Sequence, residues 1–153
     1  MKNFNLLNSN GEKLNLIEFQ GESYLLLIFF RGAWCNHCKK QLQSINKLFD
    51  SYQEKNIKLL GISNDNRLKS SLLKTFLKIN FPILSDEDNK LIKHFDLLTE
   101  YNDQQVAKPS VILFNSKHEK IYEYIGQDYD DRLTGQQILK DCIKSITYET
   151  KTV

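Results

Sequence analysis

A strand-to-helix junction dominates this chain, and it reads Phe30-Arg31-Gly32-Ala33-Trp34-Cys35-Asn36-His37-Cys38-Lys39-Lys40. The apolar run 24–30 that leads into it is typical of a buried strand, and the residues after it repeat at helical spacing. Two cysteines at C-x-x-C spacing therefore lie at the start of a predicted helix. Unpaired backbone N–H groups and the positive end of the helix dipole favour a thiolate there. Because Cys35 and Cys38 are just under one helical turn apart, their sulfurs can form and break a disulfide.

Apolar runs and helical periodicities alternate outward from this junction. Extended segments are predicted at 4–7, 13–16, 24–30, 57–62, 81–84, 111–114 and 121–125, and helices at 35–53, 68–79, 91–95 and from Gly135 onward. The second helix is expected to turn four residues inward, namely Leu72, Leu73, Phe76 and Leu77. The order is β-α-β, an inserted helical segment and then β-β-α. It predicts one α/β domain over 1–153, with a mixed sheet and helices on both faces.

The composition limits the possible partners and compartments. A net charge of +2, from 21 basic and 19 acidic residues, gives no reason to expect a nucleic acid or a membrane as partner. The longest apolar run, 24–30, is too short to span a bilayer, and no signal segment follows Met1. We therefore expect a cytoplasmic protein, in which three cysteines indicate redox chemistry rather than a disulfide framework.

The cysteine pair has other conceivable uses, such as a buried apolar role or half of a zinc site. Zinc usually needs four ligands, and the other candidates, Cys142, His94 and His118, form no motif. A c-type haem needs a histidine directly after the second cysteine, where Lys39 stands. We therefore expect neither a metal nor another cofactor. Cys142 lies on the apolar face of the last helix and is expected to be a buried bystander, with a resolving role as the alternative.

The element order, with Trp-Cys-x-x-Cys after the first long strand, resembles the thioredoxin fold. Further segments are similar to the peroxiredoxin branch, the alkyl hydroperoxide reductase and thiol-specific antioxidant proteins. Four of them are 4–11, 16–21, Gly61-Ile62-Ser63-Asn64-Asp65 and Phe81-Pro82-Ile83-Leu84-Ser85-Asp86. Two more segments, 30–35 and Tyr129-Asp130-Asp131-Arg132, resemble a peroxiredoxin-like subgroup that carries C-x-x-C. The resemblance implies a thioredoxin-like α/β fold. Its central mixed β-sheet is flanked by helices on both faces, with an N-terminal β extension and an inserted helix.

Two departures from these families bear on the substrate. Peroxiredoxins carry Pro-x-x-x-Thr-x-x-Cys around the peroxide-reacting cysteine. Aligned without gaps, Arg31, Cys35 and Cys38 take the places of that proline, threonine and cysteine. Thioredoxins usually carry a buried Asp six residues before the first cysteine, where this chain has Phe29. The chain thus combines features of both families.

The residues at the junction have definable roles. We expect Cys35 to be the attacking thiolate, because the outer position is more exposed and nearer the helix end, and Cys38 to resolve it. The peroxiredoxin alignment favours the opposite order. A partly protonated His37 would stabilise the thiolate and make the disulfide more oxidising, with a plain surface histidine as the alternative. Arg31 would polarise a peroxide or thiolate, or cap the strand, and Trp34 would shield the cysteines.

Lys108 and Pro109 precede the predicted strand 111–114. In the thioredoxin fold the proline before this strand is cis and faces the cysteines. The resemblance therefore implies a cis Lys108–Pro109 bond that presents the backbone at 108 to a bound disulfide or peptide. A proline that simply starts the strand is the alternative.

The resemblance implies a thiol oxidoreductase that reduces peroxides as an antioxidant. The attacking cysteine would become a sulfenic acid, the second cysteine would close a disulfide, and an external dithiol such as thioredoxin would reduce it. Exchange with protein disulfides is the first alternative. A thioredoxin-fold, redox-sensitive interaction module with little turnover is the second, and a homodimer is left open.

Overall fold

The computed structural model describes residues 3–151. Its strands are β1 Asn5–Leu7, β2 Lys13–Asn15, β3 Tyr24–Phe29, β4 Ile57–Ser63, β5 Ile83–Ser85, β6 Leu98–Tyr101, β7 Gln104–Ala107, β8 Ser110–Phe114 and β9 Lys120–Ile125. Its helices are α1 Leu16–Gln20, α2 Asn36–Asn46, α3 Phe49–Glu54, α4 Arg67–Leu77, α5 Lys90–His94 and α6 Gly135–Lys151. Within residues 3–151, no helix has the length and apolarity needed to cross a bilayer.

The seven-stranded sheet has the order β2-β1-β5-β4-β3-β8-β9. Strands β3, β4 and β5 are parallel, whereas β8 and β9 join on one side and β1 and β2 on the other as antiparallel strands. Alternate side chains of β3 enter two apolar clusters. Leu26 and Ile28 pack with residues of α2, α4 and α6, and Leu25, Leu27 and Phe29 with residues of α1 and α5. The expected thioredoxin-like fold, a mixed sheet with helices on both faces, is confirmed.

Three elements differ from the sequence-based prediction. Helix α1 and the two-stranded sheet β6–β7 were not predicted. The helix predicted at 35–53 is divided into α2 and α3. At the division, the Asn46 side chain donates to the carbonyl of Lys78 and accepts from the backbone of Asn80, which joins the end of α2 to the loop after α4.

The inward face predicted for α4 is half wrong. Leu73 and Leu77 are buried, but Leu72 and Phe76 are exposed. The helix carries two apolar stripes, and only one of them can meet the sheet. The stripe that does so contains Ser70, whose hydroxyl lies 2.9 Å from that of Ser85 in β5 and fixes the rotation of the helix.

The expected cis bond at Pro109 is wrong, because residues 3–151 contain no cis peptide bond. An X–Pro bond prefers trans by about 0.5–1 kcal/mol unless its surroundings demand otherwise. The trans arrangement here satisfies both adjacent carbonyls, since Lys108 O accepts from the Ser110 hydroxyl at 2.9 Å and Pro109 O from Gly126 N at 2.7 Å. Pro109 directly precedes β8, as the alternative of a strand-start proline predicted.

Candidate active site at the Cys35 and Cys38 dithiol

Cys35 is the N-cap residue of α2, at the end of the segment that connects β3 to this helix. Its Sγ accepts a hydrogen bond from the backbone N–H of Cys38 at 3.3 Å, so the sulfur occupies the place of a capping oxygen. The approach to the cap is held by Asp65, which follows β4 and accepts from Ala33 N at 2.8 Å. The C-x-x-C pair therefore lies where the parallel strands β3 and β4 end, as the sequence predicts.

Arg31 is placed directly against the first sulfur. Its Nη2 lies 3.4 Å from Cys35 Sγ, and its backbone N–H donates to Cys38 Sγ at 3.3 Å. The side chain is only 5% exposed, yet Nε and Nη1 have no hydrogen-bond partner. Buried N–H groups without an acceptor cost about 1–3 kcal/mol or more. Arg31 thus presents donors that are ready for an acceptor beside Cys35.

An aromatic cage, made of Trp34, Tyr101 and Tyr129, surrounds the Arg31 guanidinium. The guanidinium carbon lies 4.2 Å from the ring centre of Tyr101, 4.8 Å from that of Trp34 and 5.2 Å from that of Tyr129. Trp34 and Tyr101 also stack, with centroids 5.6 Å apart and planes 12° from parallel. These cation–π contacts hold the charge in place without using its N–H groups.

Both cysteines are only 1% exposed. The expectation that Cys35 is the more exposed of the two is therefore wrong. Trp34 is itself exposed and belongs to the cage around Arg31, and its role in shielding the cysteines stays a prediction. Any difference in reactivity between the two cysteines must come from their pKa values and not from exposure in this state.

Arg132 is a second cation at the dithiol, and sequence reasoning did not select it. Its Nη2 lies 3.1 Å from Cys38 Sγ and 3.6 Å from Cys35 Sγ. Nε donates to the Tyr129 carbonyl and Nη1 to Gln41 of α2, so the side chain is held from both ends. The only signal in the sequence was the Tyr129-Asp130-Asp131-Arg132 motif, which gave a family likeness but no location.

The two thiols differ strongly in acidity. The pKa of Cys35 falls to about 5, chiefly because the Cys38 thiol donates to its sulfur. The Arg31 hydrogen bond, the backbone N–H and the Arg132 charge lower it further against the opposing effect of burial. The pKa of Cys38 is raised, first by burial and then by the neighbouring Cys35. At neutral pH Cys35 is a thiolate and Cys38 a thiol, which favours Cys35 as nucleophile.

The other predicted residues occupy different places. His37 is exposed and packs its ring edge-on against Tyr129, with centroids 5.2 Å apart. Within residues 3–151 the hydrogen bonds to the two sulfurs come from Arg31, Arg132, the backbone and the Cys38 thiol, and none comes from His37, so the role of His37 stays a prediction. Lys108 and Pro109 line a cavity of about 270 Å³ together with Arg31.

The third cysteine lies apart from this site. Cys142 is fully buried in the core cluster with residues of α2 and α3, and burial raises its pKa to about 12. Such a thiol is a poor nucleophile at neutral pH. Among residues 3–151, no three His, Cys, Asp or Glu side chains are grouped so that they could hold a metal ion.

Comparison with known proteins identifies the family. The model of the AhpC/TSA family matches residues 1–122 of this chain. The chain belongs to the AhpC/TSA family. The chain is similar to thiol-disulfide oxidoreductase ResA of Bacillus thuringiensis subsp. konkukian, which is 25% identical over 135 residues that cover 86% of this chain and 75% of that protein. Peroxiredoxin Bcp of Escherichia coli K12 is 32% identical over 97 residues, covering 63% of this chain and 62% of Bcp.

Solved structures show the same fold. Peroxidoxin BcpB from Mycobacterium tuberculosis superposes with a TM-score of 0.83 at 15% identity, over 97% of this chain and 94% of that one. The mitochondrial 2-Cys peroxiredoxin from Plasmodium falciparum gives 0.84 at 23% identity, over 99% and 95%. This AhpC/TSA protein is a thiol oxidoreductase and therefore an enzyme.

Proposed function

We propose that this AhpC/TSA protein is a peroxidase in which Cys35 is the peroxidatic cysteine and Cys38 resolves it. The Cys35 thiolate attacks the terminal peroxide oxygen, an S–O bond forms, the O–O bond breaks, and the departing oxygen takes up a proton. The product is a sulfenic acid on Cys35. Cys38 then attacks that sulfur, water leaves, and the disulfide closes. The two electrons come from the thiols, and an external dithiol returns them.

One observation carries this proposal: a thiolate with a caged guanidinium at 3.4 Å whose Nε and Nη1 lack acceptors. Negative charge develops on the departing oxygen as the O–O bond breaks. A cation already fixed beside that oxygen stabilises the charge with little reorganisation. The free N–H groups of Arg31 supply such donors, and Arg132 adds a second positive charge within 3.6 Å of Cys35 Sγ.

Exchange with protein disulfides is the second candidate, and the similarity to ResA favours it. A low-pKa thiolate beside a protonated partner thiol suits that reaction equally well. In the reduced protein both sulfurs are 1% exposed, which leaves less room for a protein disulfide than for a small peroxide. Either reaction requires the oxidised dithiol to become accessible to its reductant, so the unsatisfied N–H groups of Arg31, rather than access, favour a peroxide.

The deciding experiment measures peroxide consumption with dithiothreitol, and then with thioredoxin and its reductase, beside insulin reduction. We expect peroxide turnover that Cys35→Ser abolishes, whereas Cys142→Ser, the matched control, retains the wild-type rate because Cys142 lies outside the site. Rapid insulin reduction without peroxide consumption would instead establish disulfide exchange. Either reaction is proposed to occur in the cytoplasm, where thioredoxin keeps C-x-x-C pairs reduced.

A further inference from the structure

Helix α4 exposes a stripe of large apolar side chains, Leu68, Leu72 and Phe76, which we call the α4 stripe. Their exposed fractions are 64%, 63% and 79%. They are spaced four residues apart along one face, so the stripe is about 12 Å long. The helix is already anchored by Leu73 and Leu77 on its buried side. Packing in the core therefore does not explain why the α4 stripe consists of large apolar residues.

The N-terminal end of α4, where the α4 stripe begins, reaches a cavity that two residues of the aromatic cage also line. Lys69, one residue along from Leu68, and the α4 cap Asn66 line a cavity of about 810 Å³ together with Trp34 and Tyr101 of the cage. The bond from Ala33 N to Asp65 joins the loop before Cys35 to the segment that leads into α4. A protein that approaches the cage from this side would meet Trp34 and the first turn of α4, where the α4 stripe begins with Leu68.

The charges around the α4 stripe have one sign. Helix α4 contains Arg67, Lys69 and Lys74 and no acidic residue, and Lys78 follows at its C-cap. Lys74 donates to the Phe81 carbonyl, whereas Arg67, Lys69 and Lys78 are exposed beside the stripe. The lining of the shared cavity contains two acidic residues, Asp65 and Glu87. A basic border favours an acidic partner.

Size and charge together argue against a second copy of the chain as the occupant. Two α4 stripes packed together would bring Arg67 and the lysines of one chain close to the same residues of the other. A stable dimer buries about 800 Å² per partner, and three side chains supply only part of that. Transient contacts between redox proteins are smaller, and a patch of this size suits them.

We propose that the α4 stripe is the docking surface for the protein that reduces the oxidised dithiol, a dithiol protein with an apolar, acid-rimmed active-site face. This rests on the proposed use of an external dithiol. In the reaction, a partner thiolate attacks one sulfur of the Cys35–Cys38 disulfide, forms a mixed disulfide and releases the other sulfur as a thiolate. The partner's second thiol then breaks the mixed disulfide. The partner becomes oxidised and this dithiol regains two electrons and its proton.

The test measures the reduction of preformed disulfide, so it does not depend on peroxide being the oxidant. Protein oxidised with diamide is reduced either by dithiothreitol or by thioredoxin, then quenched by alkylation and quantified by mass spectrometry. For Leu72→Ser/Phe76→Ser we expect an unchanged rate with dithiothreitol and a loss of about tenfold with thioredoxin. Tyr148→Ser, which removes an equally exposed aromatic from α6, is the control and should match the wild type.

Reversing the charge beside the α4 stripe tests the docking proposal independently. Lys69→Glu/Lys78→Glu should slow reduction by thioredoxin and weaken its dependence on salt, again without affecting dithiothreitol. Equal rates for wild type and both variants with thioredoxin, or no reduction of the wild type by thioredoxin, would overturn the docking proposal. A dimer that Leu72→Ser/Phe76→Ser dissociates, with no change in the thioredoxin rate, would assign the stripe to a second copy. The peroxidase proposal fails separately, if peroxide does not oxidise the dithiol at all.

Discussion

At the scale of single residues, reactivity in this site comes from cations placed against a helix-capping sulfur. The sequence indicated Cys35 and Cys38 through their spacing and Arg31 through its position in the motif. It could not show that Arg31 is caged, because Tyr101 and Tyr129 come from distant segments and only the fold brings them to it. Arg132 was missed for the same reason, since it lies 94 residues from Cys38 along the chain.

Replacing Arg31 tests its effect on the thiolate. With iodoacetamide, the wild type should label Cys35 well before Cys38 and Cys142, with an inflection near pH 5, the pKa of Cys35. Arg31→Leu should move that inflection to higher pH and reduce peroxide turnover by about 100-fold, as when an oxyanion donor is lost. Arg31→Lys keeps the charge and should restore part of both. First labelling at Cys38, or an inflection that Arg31→Leu leaves in place, would contradict the assignment.

Arg132 and His37 can be compared through the reduction potential of the dithiol. Loss of the Arg132 charge destabilises the thiolate of the reduced form, so Arg132→Ala should lower the potential, and the role predicted for His37 requires the same direction for His37→Ala. Because Arg132 touches both sulfurs and His37 is exposed, we expect the larger shift from Arg132→Ala. About 30 mV corresponds to about 1.4 kcal/mol. Equilibration with glutathione measures the shifts. If His37→Ala leaves the reduction potential unchanged, His37 is a surface histidine with no effect on the thiolate.

At the scale of secondary structure elements, the sequence predicted the buried strand β3 but missed the β6–β7 hairpin, which depends on a local turn. Strand β3 was clear because it is apolar on both faces. The β6–β7 hairpin was hidden, since its strands lack alternation and its turn is formed by Asn102 and Asp103. Both have positive φ, at 50° and 63°, as a type I′ turn requires, and Asn-Asp is a weaker signal than Asn-Gly. The face of α4 was ambiguous because the helix has two apolar stripes.

The β6–β7 hairpin brings Tyr101 over the Arg31 guanidinium, which lies against Cys35, and we expect Tyr101 to limit access to that sulfur. Tyr101→Ala should open the cage. We expect reaction of Cys35 with a bulky aromatic disulfide such as DTNB to accelerate more than reaction with iodoacetamide, because the gain is in access. Tyr148→Ala is the control. Equal acceleration with both reagents would mean that Tyr101 acts on the thiolate itself, and not on access to it.

At the scale of the whole molecule, the fold brings β3, β4, the α2 cap and the segment before α6 to one edge of the sheet. The order of elements predicted that α2 follows β3 with the cysteines at its start, but it did not place the segment before α6 beside them. The trans bond at Pro109 leaves the sheet order unchanged. The interpretation of residues 1–153 as one domain stays a prediction.

The thiolate also couples the stability of the whole protein to pH. Folding lowers the pKa of Cys35 from about 8.5, the value for a free cysteine, to about 5. The stabilisation is therefore complete above about pH 8.5 and is lost as pH falls through about 5. Urea unfolding of the reduced protein should show this rise in the free energy of unfolding between those values. Cys35→Ser removes the titrating group, and the same rise in that variant would contradict this origin.

The central claim, that Cys35 is the peroxidatic thiolate, is tested most directly by trapping its sulfenic acid. Cys38→Ser and Cys35→Ser are each reduced, treated with one equivalent of hydrogen peroxide in the presence of dimedone, and analysed by peptide mass spectrometry. We predict a rapid dimedone adduct on Cys35 in Cys38→Ser and none on Cys38 in Cys35→Ser. An adduct on Cys38 with none on Cys35, or no adduct in either variant, would contradict the account.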